Sequence, residues 1–85
     1  MTSEKFDLIL SLKVSALVDL LMGYNSALSK SEAYKKVKNS YTFEVLNDKN
    51  SRLYLESTEF LKTVFKIEQE EGKAQASKYL QDNIG

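Results

Sequence analysis

The amino-acid sequence predicts an all-α protein, a small bundle of three main helices with one short helix and a C-terminal helical tail. Proline is absent from the 85 residues and glycine occurs three times, so long stretches contain no residue that would interrupt a helix. Apolar residues recur three and four positions apart in the long segments, which is the spacing of one helical face. Serine residues stand just before several segments, where a hydroxyl group caps the first free N–H groups of a helix.

The first helix is expected over about residues 4–22. One apolar face follows the helical spacing and comprises Phe6, Ile9, Leu10, Val14, Leu17, Leu21 and Tyr24. A second apolar set, on a neighbouring face, comprises Leu8, Leu12, Ala16 and Leu20. A helix that is apolar on two sides is either enclosed by other helices or leaves one side for a partner. Gly23 is expected to end this helix in the left-handed conformation that glycine adopts at low cost.

Two shorter helices are expected in the middle of the chain. Ser29 and Glu32 match a capping box, in which each side chain accepts the backbone N–H of the other residue, and they predict a helix over residues 30–38. Residues 41–46 follow as a short helix, and residues 47–51 have the composition of a turn. The side chains expected to be buried in these two helices are Ala33, Tyr34, Val37, Tyr41, Val45 and Leu46.

The last part of the chain is expected to contain a fourth helix, capped by Ser57 and stopped at Gly72. One of its faces carries Phe60, Leu61, Val64, Phe65 and Glu68. Residues 52–56 suit either an extended or a helical backbone. The tail over residues 72–85 has helical composition but few large apolar side chains, so the sequence leaves its docking open. We expect residues 1–85 to form one domain.

The composition excludes several function classes. The chain has no cysteine and no histidine, which excludes disulfides, thiolate chemistry and iron–sulfur clusters and removes the commonest general base and metal ligand. We therefore expect no enzymatic activity, no cofactor and no bound metal ion. The formal net charge is zero, so no overall field steers the protein toward nucleic acid or a membrane surface. No secretion signal or membrane span is evident, and we expect a cytoplasmic protein.

Two acidic patterns match functional sites only in part. Asp48, Asn50 and Glu59 have the spacing of three calcium-loop ligands. However, Arg52 and Leu53 occupy the positions where such a loop needs an oxygen ligand and a glycine. A second acidic group, near the end of the fourth helix, consists of Glu68, Glu70 and Glu71. We expect these carboxylates to be hydrated rather than catalytic.

A basic segment spans residues 30–52, with six basic against three acidic residues. If it bound DNA, the contacting side chains would be Lys35, Lys36, Lys38, Lys49 and Arg52. The reading helix would then be residues 41–47, which offer Thr42, Glu44 and Asn47 to the bases. Base readout favours arginine, asparagine and glutamine, and the carboxylate of Glu44 would repel the phosphates. A solvated lysine face on a short helix is the simpler interpretation.

Four runs of the sequence resemble a group of small, uncharacterised helical bacterial proteins that occur in gene clusters similar to toxin–antitoxin operons. The runs are residues 6–13, 31–34, 40–46 and 53–57, and the resemblance extends over residues 6–68. Its motifs are a leucine-rich helix, a capped helix, an aromatic hinge and a serine cap. The resemblance implies a bacterial regulatory or antitoxin-like binding protein and assigns no catalytic residue.

The sequence thus favours a protein–protein interaction module. The candidate interface is the outer side of the first helix, formed by Leu8, Leu12, Ala16, Leu20 and Tyr24. Tyrosine, which occurs five times in the chain, is a residue that protein interfaces favour. The partner is either another protein or a second copy of this chain, in a homodimer. The alternative is a small DNA-binding transcriptional regulator that uses residues 30–52.

Overall fold

The all-α prediction is confirmed by the computed structural model, which describes residues 3–83 and contains no strand in that range. Its five α-helices are α1 (Ser3–Tyr24), α2 (Lys30–Lys38), α3 (Tyr41–Leu46), α4 (Thr58–Glu71) and α5 (Lys73–Asn83). Two single 3-10 turns, Lys49–Ser51 and Leu53–Leu55, connect α3 to α4. Within the described range, no helix is both long enough and apolar enough to cross a membrane.

The core lies along one side of α1, which packs against α2 and α4. From α1 the core takes Val14, Leu17, Val18 and Leu21. The remaining elements add Ala33, Val37, Phe43, Leu46, Leu53, Leu61, Val64, Phe65, Ala76 and Leu80. Every element except the first 3-10 turn therefore contributes to one continuous core, in which α1 contacts α2, α4 and the second 3-10 turn.

The predicted helix starts are confirmed at the level of individual hydrogen bonds. Ser29 Oγ accepts the backbone N–H of Glu32 at 3.1 Å, and Glu32 Oε1 accepts the backbone N–H of Ser29 at 3.2 Å. This second bond holds the pKa of the Glu32 carboxyl below its ordinary value, because the N–H stabilises the ionised form. Ser57 Oγ accepts the backbone N–H of Phe60 at 3.1 Å and caps α4. At the other end, Gly72 stops α4 with a positive φ of 97°.

The start of α3 is fixed by a carboxylate from α4. Glu68 Oε2 accepts the backbone N–H of Tyr41 at 2.9 Å, and Glu68 Oε1 accepts the backbone N–H of Thr42 at 2.9 Å. The hydroxyl of Thr42, a fully buried residue, also donates to Glu68 Oε1 at 2.7 Å. The expectation of a hydrated Glu68 was therefore wrong: a carboxylate at a helix N-terminus is stabilised by the free N–H groups and the helix dipole. Glu70 and Glu71 are exposed.

The C-terminal tail docks onto α4. Ala76 and Leu80 of α5 are buried in the common core, and the ring of Tyr79 stacks on that of Phe60 with a centroid distance of 5.6 Å. Because Gly72 adopts a backbone conformation that favours glycine, the chain reverses there and α5 returns along α4. The docking that the sequence left open is thus achieved with few but well-placed apolar side chains.

Three local expectations were wrong. Gly23 is not a left-handed cap, because α1 continues through Tyr24 and the only positive φ values among residues 3–83 belong to Arg52 and Gly72. Tyr34 is 48% exposed rather than buried, since Ala33 and Val37 already fill the contact between α2 and the core. In α3 the buried residues are Thr42, Phe43 and Leu46, whereas Tyr41 and Val45 are half-buried.

The segment that the sequence left undecided, residues 52–56, is a helical turn. Arg52 adopts a left-handed conformation with φ 60° and ψ 13°, and Leu53–Leu55 form the second 3-10 turn. Leu53 is fully buried and anchors this turn in the core.

Candidate interaction surface

The outer side of α1 exposes two leucines in the N-terminal half of the helix. The side chains of Leu8 and Leu12 are 62% and 64% exposed, whereas Leu17, on the opposite side of the same helix, is fully buried. Leu8 and Leu12 are four residues apart and therefore neighbours on one helical face. The predicted second apolar face is thus open to solvent at this end of α1.

A third exposed leucine lies in the second 3-10 turn, which contacts α1. Leu55 is 58% exposed. Its two sequence neighbours both contact α1: the ring of Tyr54 meets that of Phe6 edge-on at 5.0 Å, and the Glu56 carbonyl accepts a hydrogen bond from Lys13 Nζ at 2.6 Å. These contacts hold Leu55 beside the N-terminal half of α1. We call Leu8, Leu12 and Leu55 the leucine face.

The other three predicted interface residues are less exposed to solvent than Leu8 and Leu12. Ala16 and Leu20 are half-buried, and Tyr24 is 46% exposed at the end of the helix. Each four-residue step along a helix turns the side chain by about 40°, so a stripe from Leu8 to Tyr24 winds around α1. Its second half reaches the side where α4 packs, and Leu20 and Tyr24 border a shallow depression there with Glu59, Lys62, Thr63 and Lys66.

An apolar cleft of about 230 Å³ lies on the other flank of α1, against α2 and α3. Its lining residues are Leu10, Ser11, Val14, Ser15, Val18, Lys30, Tyr34, Lys38 and Phe43. Sequence reasoning identified neither this cleft nor Leu55. Both depend on how distant segments approach α1, and no local pattern in the sequence encodes that approach.

The basic residues predicted for DNA contact are all exposed, but they do not surround a reading helix. Lys38 Nζ lies over the rings of Phe43 and Tyr34, whereas Lys49 Nζ lies over the ring of Phe6, at 4.9 Å from its centroid. Lys35 and Lys36 project from α2 and Arg52 follows the first 3-10 turn, so these five cations are distributed over several elements.

The helix that would read the bases is poorly placed for that task. The first N–H groups of α3 are bound by the carboxylate of Glu68, which would face an approaching phosphate. Thr42, one of the three side chains that α3 would offer to the bases, is fully buried. This geometry does not favour the DNA-binding interpretation.

One residue of the candidate calcium loop caps a 3-10 turn. Asp48 Oδ1 accepts the backbone N–H of Asn50 at 3.0 Å and so caps the first 3-10 turn. Throughout residues 3–83, no three acidic, histidine or cysteine side chains lie close enough together to hold a metal ion. Glu59 is the partner of Lys62 in an exposed ion pair on α4, with an N–O distance of 3.6 Å.

Comparison of the chain with protein-family models, with curated proteins and with solved structures finds no match.

Proposed function

We propose that the protein is a protein–protein interaction module that pairs with a second copy of itself through the leucine face. The observation that carries this proposal is the exposure of Leu8 and Leu12 on adjacent turns of α1, with Leu55 exposed in a turn that contacts the same helix, in a molecule whose other large aliphatic side chains in residues 4–83 are at least half-buried. Large aliphatic side chains exposed on adjacent helical turns of a small domain are typical of an interaction site. A regulatory, antitoxin-like role belongs to the same proposal and is supported by the resemblance of residues 6–68.

A second copy is the occupant that the charge and the helix geometry favour. Two copies with zero net charge do not repel each other. In an antiparallel pairing of two α1 helices about a two-fold axis at Leu12, residues equally distant from Leu12 meet. Leu8 of one copy then faces Ala16 of the other, which pairs a large side chain with a small one.

The expected association is weak. Each leucine of the face is already partly buried, so burying the rest of six leucines in a dimer contributes roughly 5–11 kcal/mol. Association itself costs about 4–15 kcal/mol in lost translational and rotational freedom. With the larger gains from burial and the smallest association cost, about 4–7 kcal/mol remains, which corresponds to a dissociation constant of about 10 μM to 1 mM, in the range of transient rather than obligate dimers.

Sedimentation equilibrium over protein concentrations from about 10 μM to 1 mM tests the proposal. The average mass of the wild type is expected to rise toward that of a dimer across this range. Leu12→Glu places a charge in the interface and should keep the protein monomeric throughout. Gln69→Glu adds the same charge to the exposed side of α4 and should behave as the wild type. A wild type that remains monomeric at the highest concentration contradicts the proposal.

A further inference from the structure

The cleft between α1 and α2 combines an apolar floor with charged ends. The floor consists of the buried side chains of Val14, Val18 and Phe43. On the α2 wall, Lys30, Tyr34 and Lys38 occupy successive turns of the helix. Since eight residues of helix extend about 12 Å, the two lysines stand near opposite ends of a groove of that length.

The opposite wall is formed by α1 over the same distance. Its lining residues run from Leu10 to Val18, and the short connection between α1 and α2 makes the two helices antiparallel. Ser11 and Ser15 place hydroxyl groups along this wall. The cleft therefore offers hydroxyl donors on one side, ammonium donors on the other, and apolar side chains between them.

The ammonium group of Lys38 is held over the cleft. Lys38 Nζ lies 4.5 Å from the ring centroid of Phe43 and 5.7 Å from that of Tyr34, both of which line the cleft. No carboxylate belongs to the lining, and among residues 3–83 neither Lys30 nor Lys38 has an acidic partner within ion-pair distance. The positive charge at this apolar surface is thus balanced only by aromatic faces and solvent.

We propose that this cleft binds a small organic carboxylate with an apolar body, such as a medium-chain fatty acid. The apolar chain lies on Val14, Val18 and Phe43, and the carboxylate accepts hydrogen bonds from the ammonium group of Lys38. Charge-assisted hydrogen bonds of this type are stronger than neutral ones.

The volume of the cleft sets the size of the ligand. At about 230 Å³ it exceeds the roughly 150 Å³ of an engineered cavity that holds benzene, and it is smaller than the pockets of about 300 Å³ and more that bind drug-sized molecules. A carboxylate of about ten non-hydrogen atoms fits this space, with a dissociation constant of about 1 mM. Octanoate has this size and is the probe we choose.

Backbone amide NMR titrations of the full chain with octanoate and with the uncharged octan-1-ol test the proposal. Octanoate should shift the amide signals of the cleft residues and bind at least about tenfold more tightly than octan-1-ol, because only the anion pairs with Lys38. Lys38→Gln should remove that difference while leaving octan-1-ol binding unchanged. Lys66→Gln, at an exposed lysine outside the cleft lining, is the matched control and should leave both affinities unchanged.

Three results would overturn the proposal. They are equal binding of octanoate and octan-1-ol, retention of the preference for octanoate in Lys38→Gln, and octanoate-induced shifts confined to residues outside the cleft. None of them bears on self-association through the leucine face, because none of the leucines in that face lines the cleft. The two proposals therefore fail separately.

Discussion

Replacing Leu17 with alanine is expected to lower the free energy of unfolding by about 3–4 kcal/mol, whereas the same replacement of Leu12 should change it by less than about 0.5 kcal/mol. Leu17 is fully buried at the centre of α1, so its truncation leaves a cavity lined by other core side chains. Leu12 is 64% exposed, so its truncation removes few contacts within one chain. The two substitutions thus compare the two sides of one helix.

Thermal and urea unfolding measures the stability losses of the two variants. At low micromolar protein concentration, dimers make no contribution to the result. For a domain of this size, the loss at Leu17 corresponds to a fall in Tm of roughly 12–30 °C, against a few degrees at most for Leu12. If Leu12→Ala destabilised the dilute protein as much as Leu17→Ala, the outer side of α1 would be enclosed within one chain. The case for an open leucine face would then be lost.

Replacing Glu68 with alanine is expected to lower the free energy of unfolding by about 2–4 kcal/mol, because three hydrogen bonds to its carboxylate are lost together. The greater part of the cost arises at Thr42, a fully buried residue whose hydroxyl and N–H would be left without their partner. The stability of Glu68→Gln should lie between those of Glu68→Ala and the wild type. The amide retains one oxygen acceptor but presents an NH₂ group where the second carboxylate oxygen stood.

Glu70→Ala is the matched control for this prediction. Glu70 is exposed on the same helix and its replacement should change stability by less than about 0.5 kcal/mol. Urea unfolding of the three variants measures the differences. In addition, the amide signals of Tyr41 and Thr42 should move strongly in Glu68→Ala. Equal stabilities of Glu68→Ala and Glu70→Ala would show that the carboxylate does not fix the start of α3.

Much of this fold could be predicted because its signals are local. The spacing of apolar residues in α1 and α4 and the serine caps at Ser29 and Ser57 act within a few residues of one another. By contrast, Glu68 binds backbone groups 26 and 27 residues away, and no local pattern identifies that partner. Glu68 was expected to be hydrated although it shares a helical face with Leu61 and Phe65, because nothing near it in the sequence indicates the helix terminus that makes burial of a carboxylate favourable.

The candidate interface could be predicted only in part for the same reason. The stripe of apolar residues on α1 was visible in the sequence, and its first two members, Leu8 and Leu12, are the most exposed ones. Which part of the stripe another helix approaches depends on the position of α4, which packs beside the end that includes Leu20 and Tyr24. Leu55 is brought near α1 by the contacts of Tyr54 and Glu56, which are distant in sequence and have no local signal.

Oxidative cross-linking of single-cysteine variants tests the pairing of two leucine faces most directly, because the natural chain contains no cysteine. Leu12→Cys places a thiol at the proposed two-fold axis, and Asp7→Cys places one at an exposed position about 140° away around α1. At protein concentrations of about 100 μM and above, near the expected dissociation constant, Leu12→Cys should form a disulfide-linked dimer much faster than Asp7→Cys. Equal rates for the two variants, or no covalent dimer from Leu12→Cys, would contradict the account.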